Sequence, residues 1–307
     1  MVSKNLYVVF TMDCERIRAF SPPGGPEDWN ISERAISGFA ETLVENSLIG
    51  TFFIVPETAE RHAKLFLELE QRGFELGMHY HTQSFLDGRY QRYLGECSYE
   101  EQYEQLKAAK GYWEKALERD VETFRPGNCS ASDDTFQVLE ELGFRQGSTY
   151  IPDRNMPKYA AVWVGAYPYP HHTHSSNRLI PGNMEYFEVP MTADPAGRRT
   201  WKGKDTFQIR IEQVVKEVTP QDHLDLIDRI IRDQIEKKVP IKVVVPITHN
   251  CFEYSDRDNP IQQQLLRIAR YLWEAAKHFG LRLVPATIKQ VHQAADRRAA
   301  GEEEVET

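Results

Sequence analysis

Short apolar runs alternate with amphipathic helical stretches along almost the whole chain, and this alternation limits the fold more than any other feature. The runs fall at 6–10, 50–55, 74–79, 123–125, 162–169, 186–192, 241–248 and 281–285. They are rich in Val, Ile, Phe and Tyr and bounded by Gly, Pro or polar residues, which predicts buried strands. Between many of them, apolar residues recur at three- and four-residue steps, predicting helices at 32–46, 57–72, 98–117 and 133–142. Ser98 to Glu101 is a capping-box start. Thr219-Pro220 and Asn259-Pro260 open two more helices, the first to about 238 and the second to Gly280. Strand–helix alternation implies parallel strands with helices packed outside them. The expected fold class is therefore α/β, an irregular (β/α) barrel of seven or eight parallel strands with outer helices. It occupies 1–295 as one domain, with an acidic, frayed tail over 296–307. One segment breaks the rhythm. Residues 146–210 are rich in Pro, Tyr, His and Gly and show strands but no clear helix, which reads as a long excursion over one end of the barrel.

Four strands end on chemically capable residues. The first runs into Asp13-Cys14-Glu15, a second into His79-Tyr80-His81, a third into Arg125-Pro126-Gly127, and a late one into His249-Asn250. In a parallel barrel all C-terminal strand ends meet on one face, where active sites are built. Asp13 and Glu15 share a side of an extended segment. They read either as a metal ligand and a general base or as caps for nearby amides. His79 and His81 share a face by the same period. With two carboxylates near, they suit a divalent metal, zinc first, with cobalt, nickel or manganese as alternatives. Arg125 would lower and orient a neighbouring carboxylate, or lie on the surface. His249 is either a general acid/base or a buried spectator. His171, His172 and His174 permit a metal site by spacing. No acid is close in sequence, so a solvated or substrate-facing loop is expected. Tyr159, Trp163, Tyr167 and Tyr169 are equally a sugar platform or the core of the excursion.

The order of these motifs resembles that of the polysaccharide deacetylase family. Thr11-Met12-Asp13-Cys14-Glu15 resembles its first motif, and Gly77-Met78-His79-Tyr80-His81-Thr82 its second. Phe124-Arg125-Pro126-Gly127 with Leu139-Glu140-Glu141-Leu142-Gly143-Phe144 resembles its third, and Thr248-His249 its last. Tyr186 to Pro190 is similar to the family's penultimate strand, and the likeness runs from about 5 to 295. The resemblance implies an irregular barrel and metal-dependent hydrolysis of N- or O-acetyl groups on sugars. Asp13 would be the general base, Arg125 its tether and His249 the proton donor to the leaving amine or alcohol. The metal would polarise the carbonyl and lower the pKa of water. Two departures matter. The ligand aspartate usual after the base is Cys14 here, with Glu15 one residue later. The usual second histidine would fall on Thr82 or Gln83, and His81 is nearer. The expected ligand set is Glu15, His79 and His81, with Asp13 as an alternative ligand. Cys14 points the other way along the strand.

Composition narrows the partners. The chain has 37 basic and 46 acidic residues, a net charge of −9, which argues against nucleic acid. No run of eighteen apolar residues exists, so no membrane span is expected. The first ten residues read as a strand and not as a signal peptide. Cys14, Cys97, Cys129 and Cys251 are widely spaced, as reduced thiols in a cytoplasmic protein would be. The expected partner is a small-molecule or oligosaccharide substrate. A small cyclic amide, or a binding relative that has lost chemistry, are the competing expectations.

Overall fold

The computed structural model describes residues 3–200, 203, 205–215 and 217–302. The chain begins with β1 (Asn5–Val8) and β2 (Phe10–Cys14), two halves of one run interrupted at Val9. Every residue of both is buried, as expected of a parallel strand covered on both faces. There follow α1 (Trp29–Glu45), β3 (Gly50–Ile54), α2 (Pro56–Arg61), α3 (Ala63–Gln71), β4 (Glu75–Tyr80), α4 (Tyr99–Leu117), β5 (Thr123–Pro126), α5 (Thr135–Glu141) and β6 (Gln146–Gly147). The excursion holds only two-residue strands: β7 (Asn155–Met156), β8 (Ala161–Val162), β9 (His171–His172), β10 (Phe187–Glu188), β11 (Arg199–Thr200) and β12 (Asp205–Thr206). Regular alternation then resumes with α6 (Pro220–Glu236), β13 (Lys242–Val244), β14 (Ile247–His249), α7 (Pro260–His278), β15 (Arg282–Pro285) and α8 (Ile288–Ala299).

The main sheet has eight strands in the order β14-β2-β3-β4-β5-β6-β10-β9. All neighbours are parallel except β10 and β9. It curls into a half-barrel, and β1 pairs separately with β13 and β15 in parallel. The excursion crosses the gap between the sheet's two ends. Val189 N–H donates to the Gly147 carbonyl, Val245 N–H to Thr192 Oγ1 and Ile247 N–H to the Ile209 carbonyl. Helices start where the capping residues sit. Asp28 accepts the Asn30 and Ile31 amides at 2.8 Å ahead of α1. Ser98, Thr219 and Thr287 complete capping boxes with Glu101, Asp222 and Gln290.

Three details depart from the expected elements. The helix expected over 57–72 is broken at His62, whose ring is drawn inward to Ser32 Oγ at 3.1 Å. The strand expected over 162–169 stops at Val162, and the chain turns at Gly165 with φ +77°. Of the tail expected over 296–307, α8 keeps the chain helical to Ala299, and residues 303–307 lie outside the described residues. All four cysteines are free. Among the described residues, no helix is long and apolar enough to cross a membrane.

Candidate active site and metal centre

Strand register brings the chemistry-bearing ends together. His249 on β14 is level with Asp13 on β2, and His79 on β4 is level with Arg125 on β5. Asp13, Glu15, His79, His81, Arg125 and His249 all line one cavity of about 440 Å³ at the C-terminal rim. Glu15, His79 and His81 form the tightest group. His79 Nε2 lies 3.3 Å and His81 Nε2 3.0 Å from the same oxygen, Glu15 Oε1. Their ligand atoms all lie within 4.8 Å of one another. Glu15 Oε2 is buried and has no hydrogen-bond partner.

The rings are aimed from behind. His79 Nδ1–H donates to the Arg125 carbonyl at 2.8 Å, which leaves its Nε2 lone pair facing Glu15. His81 packs against Gly127, where a Cβ would come within 2.3 Å of His81 Nδ1. Asn250 clamps the Glu15 backbone from both sides. Glu15 N–H donates to Asn250 Oδ1 at 2.9 Å, and Asn250 Nδ2 donates to the Glu15 carbonyl at 3.0 Å. Asn250 Nδ2 also donates to Ser32 Oγ, and Ser32 in turn meets His62. The break between α2 and α3 therefore belongs to the site's support.

Asp13 faces a different partner. Arg125 Nη1 donates to Asp13 Oδ1 at 2.6 Å, while Asp13 Oδ2 is 3.9 Å from both His79 Nε2 and His249 Nε2. Arg125 is 1% exposed and has no freedom to leave. Its remaining donors reach Thr11 Oγ1 and the carbonyl and hydroxyl of Ser148, and its plane lies 4.0 Å over the Phe53 ring.

Burial pushes the Asp13 carboxyl up, but the Arg125 charge and then His79 and His249 outweigh it and hold its pKa below the ordinary value. Burial also opposes ionisation of Glu15, and His81 and His79 hold that carboxyl well below the usual range. His79 is raised: burial works against its charge, and Asp13 and Glu15 overcome it. A pocket that keeps two buried carboxylates ionised beside two imidazoles favours positive charge at its centre. With two imidazoles, one carboxylate oxygen without a partner and fixed ring orientations, the donor set fits a divalent metal.

Cys14 is buried with its Sγ toward the Met12 carbonyl, away from this group. Gln83 donates to the Gln91 carbonyl instead of joining the site. Among the described aromatic residues of the excursion, only Tyr159 lines the cavity. Trp163 is fully buried and stacks on Tyr150 at 4.3 Å. His171 is buried rather than solvated, and His172 lies on β9, so the expected loop is in part a sheet edge. Two side chains had no signal in the sequence. Glu212 Oε1 accepts His249 Nδ1–H at 2.8 Å, and Arg210 Nη1 lies 3.3 Å from His249 Nε2. Both follow an irregular segment with no motif. Asn250 adjoins His249, but nothing in the linear order shows that it reaches Glu15.

Residues 16–147 match the sequence model of a family described as polysaccharide deacetylase. No curated protein matches the chain. Among solved structures, a provisionally assigned polysaccharide deacetylase of Mycobacterium smegmatis aligns with TM-score 0.60 and 15% identity, covering 98% of this chain and 93% of that one. Puue allantoinase aligns with TM-score 0.61 and 11% identity, covering 98% and 93%. A second provisionally assigned polysaccharide deacetylase, from Pseudomonas aeruginosa PAO1, aligns with TM-score 0.60 and 13% identity, covering 96% and 92%. At these identities the likeness is one of fold.

Proposed function

We propose, from the match of residues 16–147 to the polysaccharide deacetylase family, that the chain is a metal-dependent hydrolase removing an acyl group, N-acetyl first, from a carbohydrate. The observation that carries this reading is the convergence of Glu15, His79 and His81 on one point, with Arg125-held Asp13 beside it. Glu15, His79 and His81 would hold the metal, and the mixed nitrogen–oxygen set favours zinc. When bound, such an ion polarises an acyl carbonyl and makes water more acidic.

The chain's own residues supply the proton transfers. Asp13 is kept ionised by Arg125 and presents Oδ2 to the cavity, so it accepts a proton from the attacking water. Glu212 accepts His249 Nδ1–H, which fixes the ring and leaves Nε2 as the nitrogen that exchanges a proton. His249 Nε2 faces the same space as Asp13 Oδ2, so it gives its proton to the leaving amine or alcohol as the acid departs. Glu212 is a positioning residue for this step. The Arg125 guanidinium acts through Asp13, and its carbonyl orients His79.

The cavity of about 440 Å³ is of the size that small ligands occupy, about 300–1,000 Å³. This suits the acylated end of a short sugar. A second reading, a small cyclic amide, draws on the ionic lining contributed by Arg154, Asp205 and Arg210 and on the fold shared with Puue allantoinase.

The test is acetate release from acetylated chito-oligosaccharides by zinc-loaded protein, run beside ring opening of cyclic amides. The account expects acetate release that falls at least about 100-fold in Asp13→Asn, with bound zinc retained. Ring opening without acetate release would favour the second reading. Full turnover in Asp13→Asn would remove the proposed base.

A further inference from the structure

A second group of metal-ligating side chains lies away from the catalytic rim. His172 on β9 meets His292 and Asp296 on α8, and one ligand atom of each lies within 4.8 Å of the others. His292 and Asp296 are one helical turn apart and so project from the same face of α8. His172 Nε2 is 3.9 Å from Asp296 Oδ1, and His292 Nε2 is 3.6 Å from Asp296 Oδ2. The acid that the histidine-rich stretch lacks in sequence arrives from more than a hundred residues further along the chain.

Orientation sets this group apart from a chance surface ion pair. His172 Nδ1–H donates to the Met184 carbonyl at 2.9 Å, so its Nε2 carries the free lone pair. His292 is fixed by a longer relay along the N-terminal ends of the strands. Thr123 Oγ1–H donates to Glu75 Oε1, so Thr123 Oγ1 is free to accept Gln146 Nε2 at 2.7 Å. The Gln146 amide is thereby oriented with Oε1 toward His292, and His292 Nδ1–H donates to it at 3.0 Å. His292 also stacks flat on Phe187, with centroids 4.7 Å apart. Both rings are thus held from their Nδ1 side by acceptors and present Nε2 to the same carboxylate. That is how metal-binding histidines are prepared.

We infer that His172, His292 and Asp296 form a second divalent-metal site, distinct from the catalytic group, which ties the C-terminal helix to the edge of the sheet. Two imidazoles and one carboxylate select a late first-row ion, zinc in particular, with water completing the shell. Zinc–nitrogen bonds are about 2.0–2.1 Å, so the group must close slightly. The Asp296 side chain is 58% exposed and free to turn inward. Arg145, whose charge is felt at His292, is already paired with Glu185. The ion would clamp α8 where β9, β10 and β6 meet.

The test uses tag-free full-length protein and Co2+ as a visible probe for the zinc site. In H79A/H81A, which removes the catalytic ligands, one equivalent should still bind. Adding D296N or H172A should weaken that binding at least about tenfold. D296N is the more conservative change, since both rings keep their Nδ1 partners. In the otherwise unaltered chain, D296N should lower bound Co2+ from two equivalents to one, without slowing acyl hydrolysis. In the H79A/H81A background D296N should also remove the metal-dependent rise in melting temperature. Binding that is unaffected by D296N and H172A would overturn the site, as would a single equivalent in the unaltered chain that depends on His79 alone. In that last case the catalytic metal centre would stand while this one fell.

Discussion

Asp13 lies on β2 and Glu15 just past its end, two residues apart, yet their surroundings differ. Glu15 looks into two imidazole nitrogens and has a buried oxygen to spare. Asp13 is pinned by a guanidinium that is itself bonded through all three of its nitrogens. Breaking such a buried pair by removing one partner costs about 3–5 kcal/mol, so Arg125 supports the fold as well as the proposed chemistry. A third buried acid behaves in the opposite way. Burial pushes Glu188 up from 4.5 to about 7, and only partly does the Thr149 amide, donating to Oε1, hold it down. Its folded-state pKa is above the unfolded one, so the fold favours the neutral form. Stability is then full below about pH 4.5 and is lost as pH rises through about 7. Glu188→Gln stays neutral and keeps the acceptor oxygen. It should leave unfolding free energy unchanged in acid and raise it by roughly 1–3 kcal/mol above neutrality, measured by denaturant titration at the two ends. A gain of the same size in acid would show that charge is not the cause. The residues that could be found from sequence were those ending an apolar strand: Asp13, Glu15, His79, His81, Arg125 and His249. Glu212, Arg210 and Asn250 act through contacts across the fold, and no local pattern marks them.

At the scale of elements, each motif works because of what ends its strand. β5 runs into Pro126-Gly127, and the turn continues through Asn128 and Cys129, both at positive φ, +57° and +58°. This tight turn lets the Arg125 carbonyl face His79 while Gly127 leaves room for the His81 ring. Gly127→Ala should therefore displace His81 and weaken zinc binding by about 10–100-fold, read by competition with a chelating dye. Unchanged affinity would mean that His81 is not a ligand. Strands and capped helices were legible because period and cap residues are local signals. The break at His62 was not, since its cause is Ser32 on another helix. The short strands of the excursion are equally opaque. They are two residues long, too short to show alternation, whether they pair locally, as β7 does with β8, or across the sheet, as β10 does with β6.

At the scale of the whole molecule, the curled parallel sheet divides labour between its rims. The C-terminal rim collects Asp13, Glu15, His79, His81, Arg125 and His249 around the cavity, and the excursion supplies Arg154, Met156, Tyr159 and Arg210 as further lining. The opposite rim is tied by a polar relay through Thr51, Glu75, Thr123 and Gln146 to α8. The barrel class follows from the strand–helix alternation, since parallel neighbours need covering helices. The gap in the sheet, and the way the excursion fills it, could not be read because those contacts lack any periodic signature. The most direct test of the account is anomalous scattering at the zinc edge from crystals grown with zinc. The account predicts a peak about 2.0–2.2 Å from Glu15 carboxylate oxygen, His79 Nε2 and His81 Nε2, with Asp13 still bonded to Arg125. No peak there in zinc-containing crystals, or an ion held by Asp13 in place of Glu15, would contradict it.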